Sequence, residues 1–188
     1  RPDSSIAYEL FIPSNQIIDI TTTYSGTKLY FIAGGDIFRS IFGSSGYETQ
    51  LLHSESGVTF SKIISDSRDR KIYIHGNDGT DDKLYGMTPL GTLSVISNSG
   101  FGATAMTLHE YTLVIYIAQG STLHTYEDDV ALNTLTLTGD SISSNIYGLA
   151  INSNNNILYI STNDKVYSMT LNNNYVTTLY TINDLWNS

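Results

Sequence analysis

The chain has 188 residues, 40% of them hydrophobic, with a formal charge of −9 and a pI near 4.6. That balance argues against a basic patch for nucleic acid or anionic lipid, and with no cysteine there is no disulfide, thiolate nucleophile or cysteine-type zinc site. Only 14% of residues are charged and no apolar run approaches the roughly 18 residues of a membrane span, so membrane insertion is not expected either.

Ser, Thr and Asn make up most of the polar surface, a composition common in secreted and cell-surface β proteins, and the expected location is extracellular or at the cell surface. The chain opens on Arg1-Pro2 rather than Met, so a cleaved leader or an upstream domain is expected. No Asn-x-Ser/Thr acceptor occurs.

A period organises the rest. Tyr30, Tyr73, Tyr116 and Tyr159 stand 43 residues apart, each inside a short apolar run such as Leu29-Tyr30-Phe31-Ile32 or Leu158-Tyr159-Ile160. A fixed period of about 40–50 residues with strand-like pieces inside it marks a β-propeller. The sequence therefore predicts an all-β chain of four tandem four-stranded blades in one domain, spanning about 17–56, 57–99, 100–141 and 142–185. A closed four-bladed ring is expected, because an open half-ring would expose two large apolar blade faces.

In chain order, the first predicted element is Tyr8-Glu9-Leu10-Phe11-Ile12, within a connector over 1–16. It has the phase that Leu51 and Leu137 have in later repeats, that of a fourth, outer strand. It reads as the remnant of a further blade, an extra edge on the ring, or a strand added to another chain's blade. Tyr8, Leu10 and Ile12 are accordingly candidate interaction residues, with protein partners or self-assembly expected.

Ile20, Ile63, Met106 and Leu149, ten residues before each repeat tyrosine, mark the first strands. Polar turns follow: Tyr24-Ser25-Gly26-Thr27, Asp66-Ser67-Arg68-Asp69, His109-Glu110-Tyr111 and the run from Asn152 to Asn156. The second strands are apolar on both sides of the tyrosine, which predicts burial on both faces. Third strands read aliphatic then aromatic, at Ile37-Phe38, Leu84-Tyr85, Leu123-His124 and Val166-Tyr167, the second copy carrying a four-residue insertion. Fourth strands are predicted over Thr49–His53, Thr92–Ile96, Thr134–Thr138 and Tyr175–Ile182.

The fourth copy, Gly148-Leu149-Ala150-Ile151-Asn152, a turn, Leu158-Tyr159-Ile160-Ser161, then Val166-Tyr167-Ser168-Met169, resembles a blade of the NHL/YWTD-type propellers. The resemblance is best over 147–169; Ser161-Thr162 replace the end of the motif, without its tryptophan and aspartate. It implies a propeller that binds protein or glycan or plays a structural role, with lactonase-like enzymes a minority.

The insertion loop Asn77-Asp78-Gly79-Thr80-Asp81-Asp82 is the densest acidic cluster, and closely spaced carboxylates are what calcium selects. Asp78, Asp81 and Asp82 are the metal candidates, but the twelve-residue EF-hand pattern is absent and a solvated hairpin tip is the expected reading. Asp36 and Asp164 occupy equivalent loops and are expected to make one face anionic, favouring a cation or a basic partner. His53, His75, His109 and His124 share no metal-ligand spacing, and His124 holds the slot of Phe38, Tyr85 and Tyr167, that of a packed ring.

Tyr24, Tyr47, Tyr111 and Tyr175 fall in turns or near strand ends, where sugar stacking would make a lectin. Gly43-Ser44-Ser45-Gly46 has no following helix to hold phosphate. No Gly-x-Ser-x-Gly, phosphate-binding loop or His-Glu-x-x-His occurs. A metal-dependent lactonase-like hydrolase would need matched acids among the first strands, where Asp19 and Asp66 alone stand. The expected function is non-catalytic: an interaction or structural module, with no cofactor and no catalytic residues.

Overall fold

The computed structural model describes residues 16–23, 26–43, 46–66, 68–98, 100, 102–127 and 130–181, the side chains of 130 and 131 excepted. The predicted strand Tyr8–Ile12, with Tyr24, Ser44, Ser45 and Trp186, lies outside them. Among the described residues all regular structure is strand. Two compact units, 1–96 and 97–188, hold two sheets each.

In the first unit one sheet comprises β1 (Ile17–Thr22), β2 (Lys28–Ala33), β3 (Asp36–Gly43) and β4 (Gly46–His53). The other comprises β5 (Thr59–Ser65), β6 (Ile72–Asn77), β7 (Asp82–Met87) and β8 (Leu93–Asn98). The second unit has β9 (Ala105–Leu108), β10 (Ile115–Gln119), β11 (Thr122–Glu127) and β12 (Val130–Thr134) in one sheet. Its other sheet has β13 (Thr138–Gly139), β14 (Ile146–Asn152), β15 (Ile157–Thr162), β16 (Lys165–Thr170) and β17 (Tyr175–Thr181). Four consecutive strands of each sheet lie in sequence order as an antiparallel meander, the four-stranded blade the repeat required.

Tight turns make this order cheap. Between β2 and β3 the loop is Gly34-Gly35 with φ of 62° and 89°, which residues with a Cβ resist and which matches the twist of a two-residue hairpin. Where the first strands hand over to the second stand Thr23, Asp66, His109 and Asn152, again 43 apart, the last of them the final residue of β14. Thr23, Asp66 and His109 donate their N–H to the carbonyls of Lys28, Lys71 and Val114 at 3.2, 2.9 and 2.9 Å. Three of the four side chains then satisfy the turn. Asp66 Oδ1 accepts from Arg68 N–H (3.0 Å), His109 Nδ1 from Tyr111 and Thr112 N–H (3.3 Å each), and Asn152 Oδ1 from Asn155 N–H (3.3 Å). Different side chains thus do one task, supplying acceptors to turn amides that the ladder cannot reach.

Packing follows a repeated rule inside each unit. Tyr30, Ile32 and Ile37 of one sheet meet Ile63, Ile72 and Ile74 of the next, while the alternate residues Phe31, Ala33 and Phe38 form a separate cluster. In the second unit Tyr116, Ala118 and Leu123 meet Ile146, Leu158 and Ile160 in the same phase. Each fully buried Ile or Leu side chain among them contributes about 1.5–3 kcal/mol. First strands are also stitched together: Ile63 N–H donates to Asp19 Oδ2 at 2.8 Å, Ser65 N–H to Thr21 Oγ1 at 3.2 Å, and Ser65 Oγ–H to Thr22 O at 3.0 Å.

Two expectations are corrected. The fourth strand of the third repeat is Val130–Thr134 rather than Thr134–Thr138, because residues 138–139 have already crossed to run parallel to β17 of the next sheet. There Thr138 N–H donates to Asn174 O (3.0 Å) and Asp140 N–H to Val176 O (2.9 Å), covering an outer edge that would otherwise be unpaired. The second correction concerns burial of the second strands. β2, β6 and β10 are buried on both faces, but β15 alternates: Leu158, Ile160 and Thr162 are buried, while Tyr159 is exposed and Ser161 half-buried.

Candidate functional site

The alternation in β15 defines an open sheet face in the second unit. Pairing sets Ala150 opposite Tyr159 and Gly148 opposite Ser161, with Val166 beyond Ser161 on β16 and Tyr180 beyond Val166 on β17. Tyr30, Tyr73 and Tyr116 expose 0, 2 and 8% of their surface, whereas the equivalent Tyr159 exposes 39% and Tyr180 exposes 58%. An open depression of about 200 Å³ lies on this face, lined by Gly148, Leu149, Ala150, Tyr159, Ser161 and Val166 together with Ile160. No charged residue is among them. A Cβ on Gly148 would fall 2.6 Å from Ser161 Oγ, so the glycine sets the floor of the depression.

The polar candidates have internal roles instead. Asp78 Oδ1 accepts from Thr80 and Asp81 N–H (3.0 and 2.8 Å), its other oxygen pairs with Lys83, and Asp82 Oδ1 accepts from Asn77 Nδ2 (3.2 Å). The Lys83 ammonium, then the two backbone donors, bring the Asp78 carboxyl down to about 2. A cation entering this loop would have to displace Lys83. Among the described residues no group of three His, Asp or Glu side chains is arranged to hold a metal ion.

Asp36 begins β3 in the first unit, and Asp164 lies in the β15–β16 turn of the second, where the Thr162 hydroxyl donates to it at 2.8 Å and lowers its pKa. Asp19 and Asp66 are occupied by Ile63 N–H and by Arg68 N–H with Arg70, and are not a matched pair.

The histidines are dispersed. His75 is buried against Ser61 Oγ (3.0 Å), and His53 lies 3.4 Å from Glu55. His109 accepts at Nδ1, so its proton resides on Nε2, which donates to Asn156 Oδ1 (2.9 Å) and ties one blade's turn to the next. His124 fills the aromatic slot as expected, 3.1 Å from Thr134 Oγ1, and burial lowers its pKa. Of the surface tyrosines, Tyr111 and Tyr175 are exposed, and the Tyr111 hydroxyl donates to Asn154 (2.5 Å); Tyr47 packs edge-on against Phe42.

Sequence reasoning missed the open face. Tyr159 carries the same flanking pattern as its three buried equivalents, and Tyr180 reads as an ordinary fourth-strand residue, so no local signal separated them.

Four-stranded meanders repeating at 43 residues define a chain of the β-propeller type. No family model matches the chain, and no curated protein matches it. Solved structures do: the crystal structure of TolB from Acinetobacter baumannii, a β-propeller-type protein, is similar with a TM-score of 0.69 at 13% identity, over 89% of this chain and 44% of that one. At that identity the likeness establishes the fold alone, and the chain spans less than half of the structure it matches.

Proposed function

We propose that this chain is a non-catalytic interaction or structural module of an extracellular or cell-surface assembly, built from blades of the NHL/YWTD-like kind. The observation that carries the reading is the open, uncharged, partly apolar face around Tyr159 in a blade whose other face is fully packed. Exposed contiguous apolar surface marks places where another macromolecule docks. The acids and histidines that chemistry would need are engaged in turns and strand contacts. The lightly charged surface rich in Ser, Thr and Asn supports the extracellular setting, and the negative charge favours a neutral or basic protein partner.

A second route to assembly is the outer strand predicted at Tyr8–Ile12, which would extend a neighbour's sheet. The test is the native particle mass by light scattering, with and without residues 1–16. An oligomer lost on truncation supports assembly through that strand. A monomer in both forms, with no partner captured by cross-linking at the cell surface, refutes the interaction reading.

A further inference from the structure

The β9–β10 and β14–β15 turns of the second unit are tied to each other at strand ends, away from the sheet faces on which blades pack. Glu110 N–H donates to Ser153 Oγ at 3.1 Å, the Tyr111 hydroxyl to Asn154 Oδ1 at 2.5 Å, and His109 Nε2–H to Asn156 Oδ1 at 2.9 Å. Tyr111 exposes 65% of its surface, yet it is held at three points. Its hydroxyl is on Asn154, its N–H is on His109 Nδ1, and its ring stands edge-on to the His109 ring with centroids 6.0 Å apart. His109 is itself only 3% exposed, so the tyrosine is propped against a fixed neighbour.

The turn does not require a tyrosine at this place. The equivalent residues of the other repeats are Ser25, Arg68 and Asn154, and His109 already serves the turn amides. What the tyrosine adds is an exposed aromatic face ordered before any ligand arrives, which removes the entropy cost of fixing it on binding. Carboxamides surround it. Asn154 and Asn156 spend their oxygens on Tyr111 and His109, which leaves each an NH2 group to donate. Asn155 bonds to Asn152 through its backbone N–H, leaving its exposed carboxamide for a ligand. Glu110 is the one carboxylate of residues 109–114 and 152–157, and no Lys or Arg is among them.

We propose that Tyr111, Asn154 and Asn155 form a binding site for a neutral saccharide. The axial C–H bonds on one face of a pyranose carry partial positive charge and stack on the negative face of the Tyr111 ring. Hydroxyl or acetamido oxygens of the same sugar accept from the Asn154 and Asn155 carboxamides. Glu110, without a basic neighbour in either turn, turns away an anionic sugar. A peptide fits less well. Apart from Tyr111 the exposed residues of the two turns are Thr112, Asn154, Asn155 and Asn156, so an extended chain finds neither a strand edge nor apolar pockets. The site shares no residue with the open face around Tyr159, so its failure leaves the interaction reading of that face standing.

The test is binding of the full chain to an array of neutral and acidic glycans. Saturation-transfer NMR follows, with the methyl glycosides of glucose, galactose, mannose and N-acetylglucosamine. The expected result is binding to a neutral glycan, with transfer strongest at its ring C–H protons and with the side-chain amide signals of Asn154 and Asn155 shifted. Tyr111→Ala and Tyr111→Arg, the second installing the residue of the preceding repeat, should each weaken that binding about tenfold or more. Asn155→Ala should weaken it about threefold, and keeps the test open if the Tyr111 variants misfold by circular dichroism. Tyr175→Ala, at an exposed tyrosine on β17, should change it by less than about twofold.

Binding to no neutral glycan overturns the proposal. So does neutral-glycan binding that survives the Tyr111 and Asn155 substitutions in folded protein, and so does binding confined to acidic glycans.

Discussion

Tyr30 and Tyr159 occupy the same repeat position, and their surroundings give them opposite consequences. The Tyr30 hydroxyl donates to Asp69 Oδ1 at 2.5 Å, beside the Lys28–Asp69 ion pair, and burial followed by that carboxylate raises its pKa. Tyr30→Phe removes a hydrogen bond to a charged group and leaves part of Asp69 unsatisfied, so a loss of about 1.5–3 kcal/mol is expected in urea denaturation. Tyr159→Phe is expected to stay within about 0.5 kcal/mol, as for other exposed sites. Equal losses would mean that Tyr159 is covered in solution.

His124 gives a pH-dependent counterpart. Burial holds its pKa below the ordinary 6.5, so the unfolded chain binds a proton that the folded chain refuses. Its contribution is present in full above pH 6.5 and is lost as pH falls from there through the lowered folded value. His124→Phe, which installs the residue that Phe38 represents in the first repeat, is expected to flatten the stability profile in that window relative to the parent. Parallel profiles for the two proteins would remove His124 as the cause.

At the level of elements, a blade is specified by turns and by alternation. The parallel strand β13 depends on Gly139, whose φ is 84° and whose absent Cβ would lie 2.3 Å from Val176 O. Gly139→Ala is expected to displace β13 from β17 and cost about 2 kcal/mol or more, since neither the backbone conformation nor the contact can be kept. Hydrogen exchange checks the cause: Thr138 and Asp140 amides should lose protection while β15 keeps its own. Gly26→Ala is the comparison, with φ of 65° and no atom within 4 Å of a new Cβ, and should cost only the conformational term, about 1–2 kcal/mol. Four strands per repeat and the recurring turn positions were legible from spacing. The handover at residues 138–139 was not, because a two-residue parallel strand leaves no hydrophobic pattern.

For the whole molecule the dominant long-range property is the charge of −9. Copies that associate through a predicted edge strand must bring like charges together, so association should strengthen or hold as salt rises from about 0.05 to about 0.5 M. Light scattering across that range checks it; association that melts with salt would point to ion pairs such as those available to Asp36 and Asp164.

The sequence by itself determined the all-β class, the 43-residue blade, the four sheets and the aromatic slot of His124, because local periodicity and turn chemistry depend on near neighbours in the chain. Only the tertiary structure decided which repeat tyrosines are buried. Burial belongs to whatever packs on each face, and Tyr30 and Tyr159, which both follow a leucine and precede an apolar residue, differ in what covers them. The acids of the insertion loop behave likewise: their spacing read as a solvated hairpin tip with a cation as the weaker alternative, and the fold gave Asp78 to Lys83 and two backbone amides, because a hairpin tip brings its own donors within reach.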